Sequence, residues 1–150
     1  MSDNWIRVIP EDPRFVPRTA CQPRARAWFE RIAPDAEEIE IKTSDTVEFF
    51  DCGANFERIL CSSCRAEIPV EWWQQRMDED HAGGFKLLKY PTPCCSTPHT
   101  LHELVYEWPQ GFGRFAIDVM NPGIGQLSKA RTRELEQILG CSIRVIYQHI

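Results

Sequence analysis

Two short stretches decide how this chain is read: Ile59-Leu60-Cys61-Ser62-Ser63-Cys64-Arg65 and Pro93-Cys94-Cys95-Ser96. The first holds two thiols separated by two residues, and the second adds another close pair after 29 intervening residues. Zinc takes four ligands in a tetrahedron and binds cysteine as the thiolate; four cysteines close the coordination sphere and make the site structural. The spacing therefore predicts structural Zn2+ held by Cys61, Cys64, Cys94 and Cys95. Cys21, Cys52 and Cys141 stand alone and suit the role of small buried hydrophobes.

Two features complicate that ligand set. Arg65 and Ser96 occupy the positions after each pair where glycine usually relaxes the turn. Neighbouring side chains on an extended strand point to opposite sides, so Cys94 and Cys95 can share one metal only across a sharp turn, which Pro91 and Pro93 favour. His99 is the chief competing ligand, followed by His102 and Cys52, because imidazole serves zinc nearly as well as sulfur. A redox role for Cys61 and Cys64 would want the pair at a helix N-terminus, and Pro69 postpones the next helix.

Working outward, Phe56-Glu57-Arg58-Ile59-Leu60 reads as a strand feeding the first thiol pair, and Phe85 to Tyr90 as one feeding the second. The arrangement resembles a zinc ribbon. Trp5-Ile6-Arg7-Val8-Ile9 reads as a strand ended by Pro10. Ala25, Trp28, Phe29 and Ile32 form the apolar stripe of a helix that begins near Pro23 and ends before Pro34. Glu38 to Lys42 and Thr46 to Phe50 alternate around Thr43-Ser44-Asp45 and predict a hairpin. Val70, Trp73 and Met77 mark a second helix stopped by Gly83-Gly84. Leu104 to Trp108 and Arg114 to Val119, around Pro109-Gln110-Gly111, predict another hairpin. Ser128 caps a third helix whose Leu135, Ile138 and Leu139 face inward before Gly140, and Ile143 to Ile150 is a last strand. The expectation is one α+β domain over residues 1–150: a mainly antiparallel sheet, about three helices and a zinc-ribbon-like site of four cysteines.

A chain of 150 residues buries one sizeable core. No apolar run approaches the ~20 residues of a membrane span, and the N-terminus lacks a basic, apolar leader, so a cytoplasmic location without membrane association is expected. Reduced thiols in that compartment again favour metal over disulfides. A formal net charge of -5 argues against a generic nucleic-acid binder. Charge is nonetheless uneven: Arg14, Arg18, Arg24, Arg26 and Arg31 precede an acidic segment, leaving nucleic-acid binding through Arg14 to Arg31 as an alternative.

The sequence has no H-E-x-x-H, no phosphate loop and no G-x-S-x-G elbow. An enzyme would have to build its site from His81, His99 or His102, residues that are more often surface or capping histidines. Trp72-Trp73 bears on binding: Trp73 matches the buried stripe, while Trp72 lies at its margin, where tryptophan often anchors protein interfaces.

The combination of C-S-S-C, P-C-C, Trp108-Pro109-Gln110-Gly111-Phe112-Gly113-Arg114-Phe115 and the closing Leu135-Glu136-Gln137-Ile138-Leu139-Gly140 with Arg144-Val145-Ile146 resembles a family of small uncharacterised bacterial proteins. The resemblance spans roughly the C-terminal two thirds and implies a bacterial cytosolic α+β protein, with no established activity to transfer. The expected function is a non-catalytic protein-interaction role, as an adaptor or an immunity-type protein, with a protein partner.

Overall fold

The structure, a computed structural model, describes residues 2–150. It is α+β, with three helices and a mostly antiparallel set of strands among the described residues. In chain order these are β1 (Asn4–Pro10), α1 (Cys21–Ile32), β2 (Glu38–Phe50), β3 (Arg58–Leu60), β4 (Glu67–Ile68), α2 (Val70–Asp80), β5 (Tyr90–Pro91), β6 (Pro98–His99), β7 (Val105–Glu107), β8 (Gly111–Met120), α3 (Lys129–Leu139) and β9 (Ile143–His149).

The main sheet has the order β2-β8-β1-β9, antiparallel throughout. Alternation along its strands sends Ile6, Val8, Phe115, Ile117 and Val119 to one face, where they meet Ala25, Trp28 and Phe29 of α1 and Leu135 and Leu139 of α3. Trp28 Nε1 donates to Glu134 across the two helices at 3.0 Å. Helix α3 is bounded as its sequence directs: Ser128 accepts from the Arg131 amide at 3.2 Å, and Gly140 adopts the left-handed conformation at φ 75°.

The opposite face is covered only in part. Ile9, Phe50, Ala116 and Ile146 pack there with Cys52, Phe56 and Trp108. Beside them Asp118, 1% exposed, takes a two-pronged contact from Arg7 at 3.0 and 3.2 Å and the Lys42 ammonium at 2.9 Å. A buried carboxylate needs such partners to offset its lost hydration. Phe112 and Val47 carry this face into a second apolar cluster with Ile59, Ile68, Leu101, Leu104 and Tyr106. The second cluster supports a small sheet, β4-β3-β7, and the two-stranded β5-β6.

Three sequence expectations are corrected. The segment Glu38 to Phe50 is one strand rather than a hairpin, because both of its halves pair with β8; the register breaks between Thr43 and Glu48. No glycine sits in Thr43-Ser44-Asp45 to permit a tight reversal, so the extra residues bulge outward. The expected hairpin around Pro109 also fails: β7 pairs with β3, whereas β8 pairs with β1 and β2. Trp108, at φ 39°, turns the chain from one sheet to the other there. Finally, Phe85 to Lys89 is not a strand. Asp80, fully buried at the end of α2, accepts from the amides of Leu87 and Leu88 at 2.7 and 2.9 Å and from the Tyr90 hydroxyl at 2.8 Å, so a carboxylate replaces the ladder.

His102 joins the two sheets. Its Nδ1 accepts from the Phe112 amide at 3.0 Å, so Nε2 carries the proton and donates to the Glu11 carbonyl at 2.7 Å. Arg144 donates to the carbonyls of His102 and Gln110, and Gly111 has no room for a Cβ, which would lie 2.9 Å from the imidazole and 2.7 Å from the Arg144 guanidinium. Burial, reinforced by the Arg144 charge, pushes His102 down to about 4 from 6.5. Between those values the unfolded chain binds a proton that the folded chain refuses, so His102 contributes stability that is complete above pH 6.5 and is lost as pH falls toward 4. Urea unfolding across that range should show an acid-side loss on the order of 3 kcal/mol. His102→Gln should unfold more easily at neutral pH and show a flatter pH profile.

Candidate metal centre

The two thiol pairs sit on two matching hairpin turns. In the first, between β3 and β4, the Cys61 amide donates to the Ala66 carbonyl at 2.9 Å and the Arg65 amide to the Cys61 carbonyl at 3.0 Å. In the second, between β5 and β6, the Thr92 amide donates to the Thr97 carbonyl at 3.2 Å and the Ser96 amide to the Thr92 carbonyl at 2.9 Å. The bonding patterns superimpose with Cys61 on Thr92, Cys64 on Cys95 and Arg65 on Ser96. Arg65 and Ser96 take φ of 66° and 62°, so both turns adopt the left-handed step without the glycine that makes it easy.

This correspondence accounts for the neighbouring thiols. Thr92 stands where a second C-x-x-C would begin, and Cys94, equivalent to Ser63, lies inside the turn rather than along a strand. Cys94 and Cys95 can therefore point to one place. The sulfurs of Cys61, Cys64, Cys94 and Cys95 all lie within 4.8 Å of one another, with Cys61 to Cys95 at 3.7 Å and Cys64 to Cys94 at 3.3 Å. Thiolates at about 2.3 Å from a tetrahedral metal are about 3.8 Å apart, so the cluster is close to the size that a metal ion requires. Among the described residues no cysteine is in a disulfide. Cys61 is buried and the other three sulfurs are on exposed residues, so the cluster opens on one side.

Electrostatics favour a cation. The hydroxyls of Thr92 and Thr97, with the Thr97 amide, hold Cys95 down to about 6. Burial pushes the Cys61 thiol up, but the amides of Cys64 and Ser63 and the Thr92 hydroxyl outweigh it and leave Cys61 below the ordinary thiol value. The Ala66 amide pulls Cys64 down; bonds to the thiols of Cys94, Cys61 and Cys95, with some desolvation, overcome that and push it up to about 11. The turns thus favour the thiolate at Cys61 and Cys95 and the thiol at Cys64. A bound divalent ion draws all four to the thiolate.

The other sequence candidates lie elsewhere. His99 is a neighbour of the cluster: its Nε2 is 2.7 Å from the Ser63 hydroxyl, and the Ser62 hydroxyl is also in reach. Both His102 nitrogens are spent on backbone. Cys52 is buried against Gln110, 3.4 Å from its Oε1, where desolvation pushes it up to about 11. His81 caps the C-terminal end of α2 and meets the Phe85 ring edge-on. These three histidines share no hydrogen-bond partner. Trp73 donates to the Tyr106 hydroxyl at 3.0 Å, and Trp72 lies under the Arg76 guanidinium. The role of Thr92 is the feature that motif reading misses, although aligning C-S-S-C-R-A with T-P-C-C-S-T would have revealed it.

Replacing either left-handed residue, Arg65→Gly or Ser96→Gly, should leave the sulfur geometry intact and raise stability by about 0.5–1 kcal/mol, because relief of the backbone cost exceeds the added chain entropy. Thermal melting of the two variants checks this. No protein-family model, curated protein or solved structure matches the chain.

Proposed function

We propose that Cys61, Cys64, Cys94 and Cys95 hold one zinc ion as a structural staple, and that the chain is a non-catalytic binding protein of the bacterial cytosol, of the adaptor or immunity type. The convergence of the four sulfurs carries the first part. Four thiolates fill a tetrahedral zinc and leave no position for water or substrate, so the metal contributes folding free energy rather than a reaction. The ladders of β3-β4 and β5-β6 are only two residue pairs long. The two-stranded β5-β6 hairpin is too short to persist unaided in water, which gives the metal a mechanical task.

The binding role is supported by the scatter of the histidines, none of which faces another across a shared site, and by Trp72, half-buried at the margin of the second cluster. Its indole offers the rigid, amphipathic surface that anchors protein contacts.

Elemental analysis of gently purified protein should give about one zinc per chain and no iron, with none of the visible absorption of an iron–thiolate centre. Cys61→Ser should lose the metal and melt at a lower temperature. Full zinc content in Cys61→Ser, or a metal-free wild type with an unchanged melt, would defeat the staple.

A further inference from the structure

Away from the sulfurs, a groove of about 340 Å³ runs between the β2 bulge and the loop after α2. Three cations line it, Arg14, Lys86 and Arg114, with a single carboxylate, Asp45. None of the three cations forms a salt bridge among the described residues, although acids outnumber bases in the chain. Backbone carbonyls hold the two guanidiniums instead: Arg14 Nη2 donates to Lys86 O at 2.7 Å and Arg114 Nε to Ser44 O at 3.0 Å. Each keeps further N–H groups unspent. The segments bearing the arginines are themselves joined, the Arg114 amide donating to Pro13 O at 3.0 Å.

The fold makes special provision for this groove. Thr43 pairs with Phe115 and Glu48 with Gly113, so residues 44–47 bulge opposite Arg114, whose guanidinium meets the bulge at the Ser44 carbonyl. Bulges are a common means of re-aiming a side chain beside a binding site. The loop after α2 then closes on the bulge: the Phe85 amide donates to Val47 O at 2.9 Å, and a Cβ on Gly84 would lie 2.6 Å from that of Thr46. Gly83 lines the groove and has nothing within 4 Å of where its Cβ would be.

We propose that this groove binds the dianionic phosphoryl group of a small phosphate monoester. Two fixed guanidiniums offer the planar forks that match phosphate oxygens, and the lysine adds a mobile charge. Within the lining, three positive charges against one negative leave a surplus of two, which a dianion matches better than a carboxylate or a phosphodiester does; the Asp12 carboxylate is engaged by the Arg14 amide at 3.0 Å. This reading goes beyond the zinc staple and does not depend on it.

The test is titration of the zinc-loaded, 15N-labelled 150-residue chain with inorganic phosphate at about pH 7.5, where the dianion predominates, holding ionic strength constant with chloride. Saturable shifts at the Gly83 and Gly84 amides and the Arg14 and Arg114 Nε signals are expected. Arg14→Gln and Arg114→Gln should each weaken binding about tenfold or more. Asp45→Asn should tighten it about two- to threefold, a gain that misfolding cannot mimic. Unchanged zinc content and unchanged spectra elsewhere keep the loss variants interpretable. Shifts that fail to saturate, that chloride reproduces or that survive both arginine substitutions overturn the site, and equal affinity for dimethyl phosphate overturns the monoester assignment.

Discussion

Strand β8 is hydrogen-bonded along both edges, to β1 on one side and to β2 on the other, and nearly all of its residues are buried. Such a strand must satisfy its backbone through its neighbours and its side chains through both faces. One face supplies Phe115, Ile117 and Val119 to the helices. The other supplies Phe112 to the cysteine layer, Ala116 to the cluster around Cys52, and Asp118 to Arg7 and Lys42. Its first residue, Gly111, admits His102, and Arg114, one of its two half-buried residues, lies opposite the bulge in β2. The helix layer, the cysteine layer and the basic groove are therefore set by a single ten-residue segment.

The cysteine layer has little regular structure of its own and is held by individual polar contacts. Asp80 captures the amides that precede β5, Thr92 spans the second turn, and His102 ties the layer to β8. Each of these groups is buried and bonded. Loss of any one leaves desolvated partners behind, which is the expensive way to break a hydrogen bond. The layer is therefore maintained by a few buried polar side chains in addition to the apolar cluster beneath it.

Local chemistry made much of this legible in advance. Helices α1 and α3 follow their apolar stripes, and α3 is bounded by Ser128 and Gly140 as capping rules require. The four cysteines converge as their spacing suggests. What the sequence misread depended on partners distant along the chain. Alternation around Thr43-Ser44-Asp45 is equally compatible with a hairpin and with one bulged strand, and only the length of β8 decides. Apolar residues at Phe85, Leu87 and Leu88 suggested a strand, but the nearby Asp80 carboxylate claimed two of the amides. The stretch before Pro109 looked like half of a hairpin because nothing local reveals that Trp108 adopts a positive φ and changes sheets. The grouping of Arg14, Lys86 and Arg114 was hidden for the same reason, since the three residues come from three separate segments.

The irregularity in β2 also bears on behaviour at high concentration. With β9 it forms the rim of the main sheet, where unpaired backbone groups invite another chain to add a strand. The displaced residues 44–47 break the row of donors and acceptors midway, and Glu38, Glu40 and Lys42 place charge along the same border. At the far rim Gly53 and Ala54 lie against His149 and cover the end of β9. The β2 border presents no long, straight template, so the bulge opposite Arg114 also discourages fibrillar self-assembly through that strand.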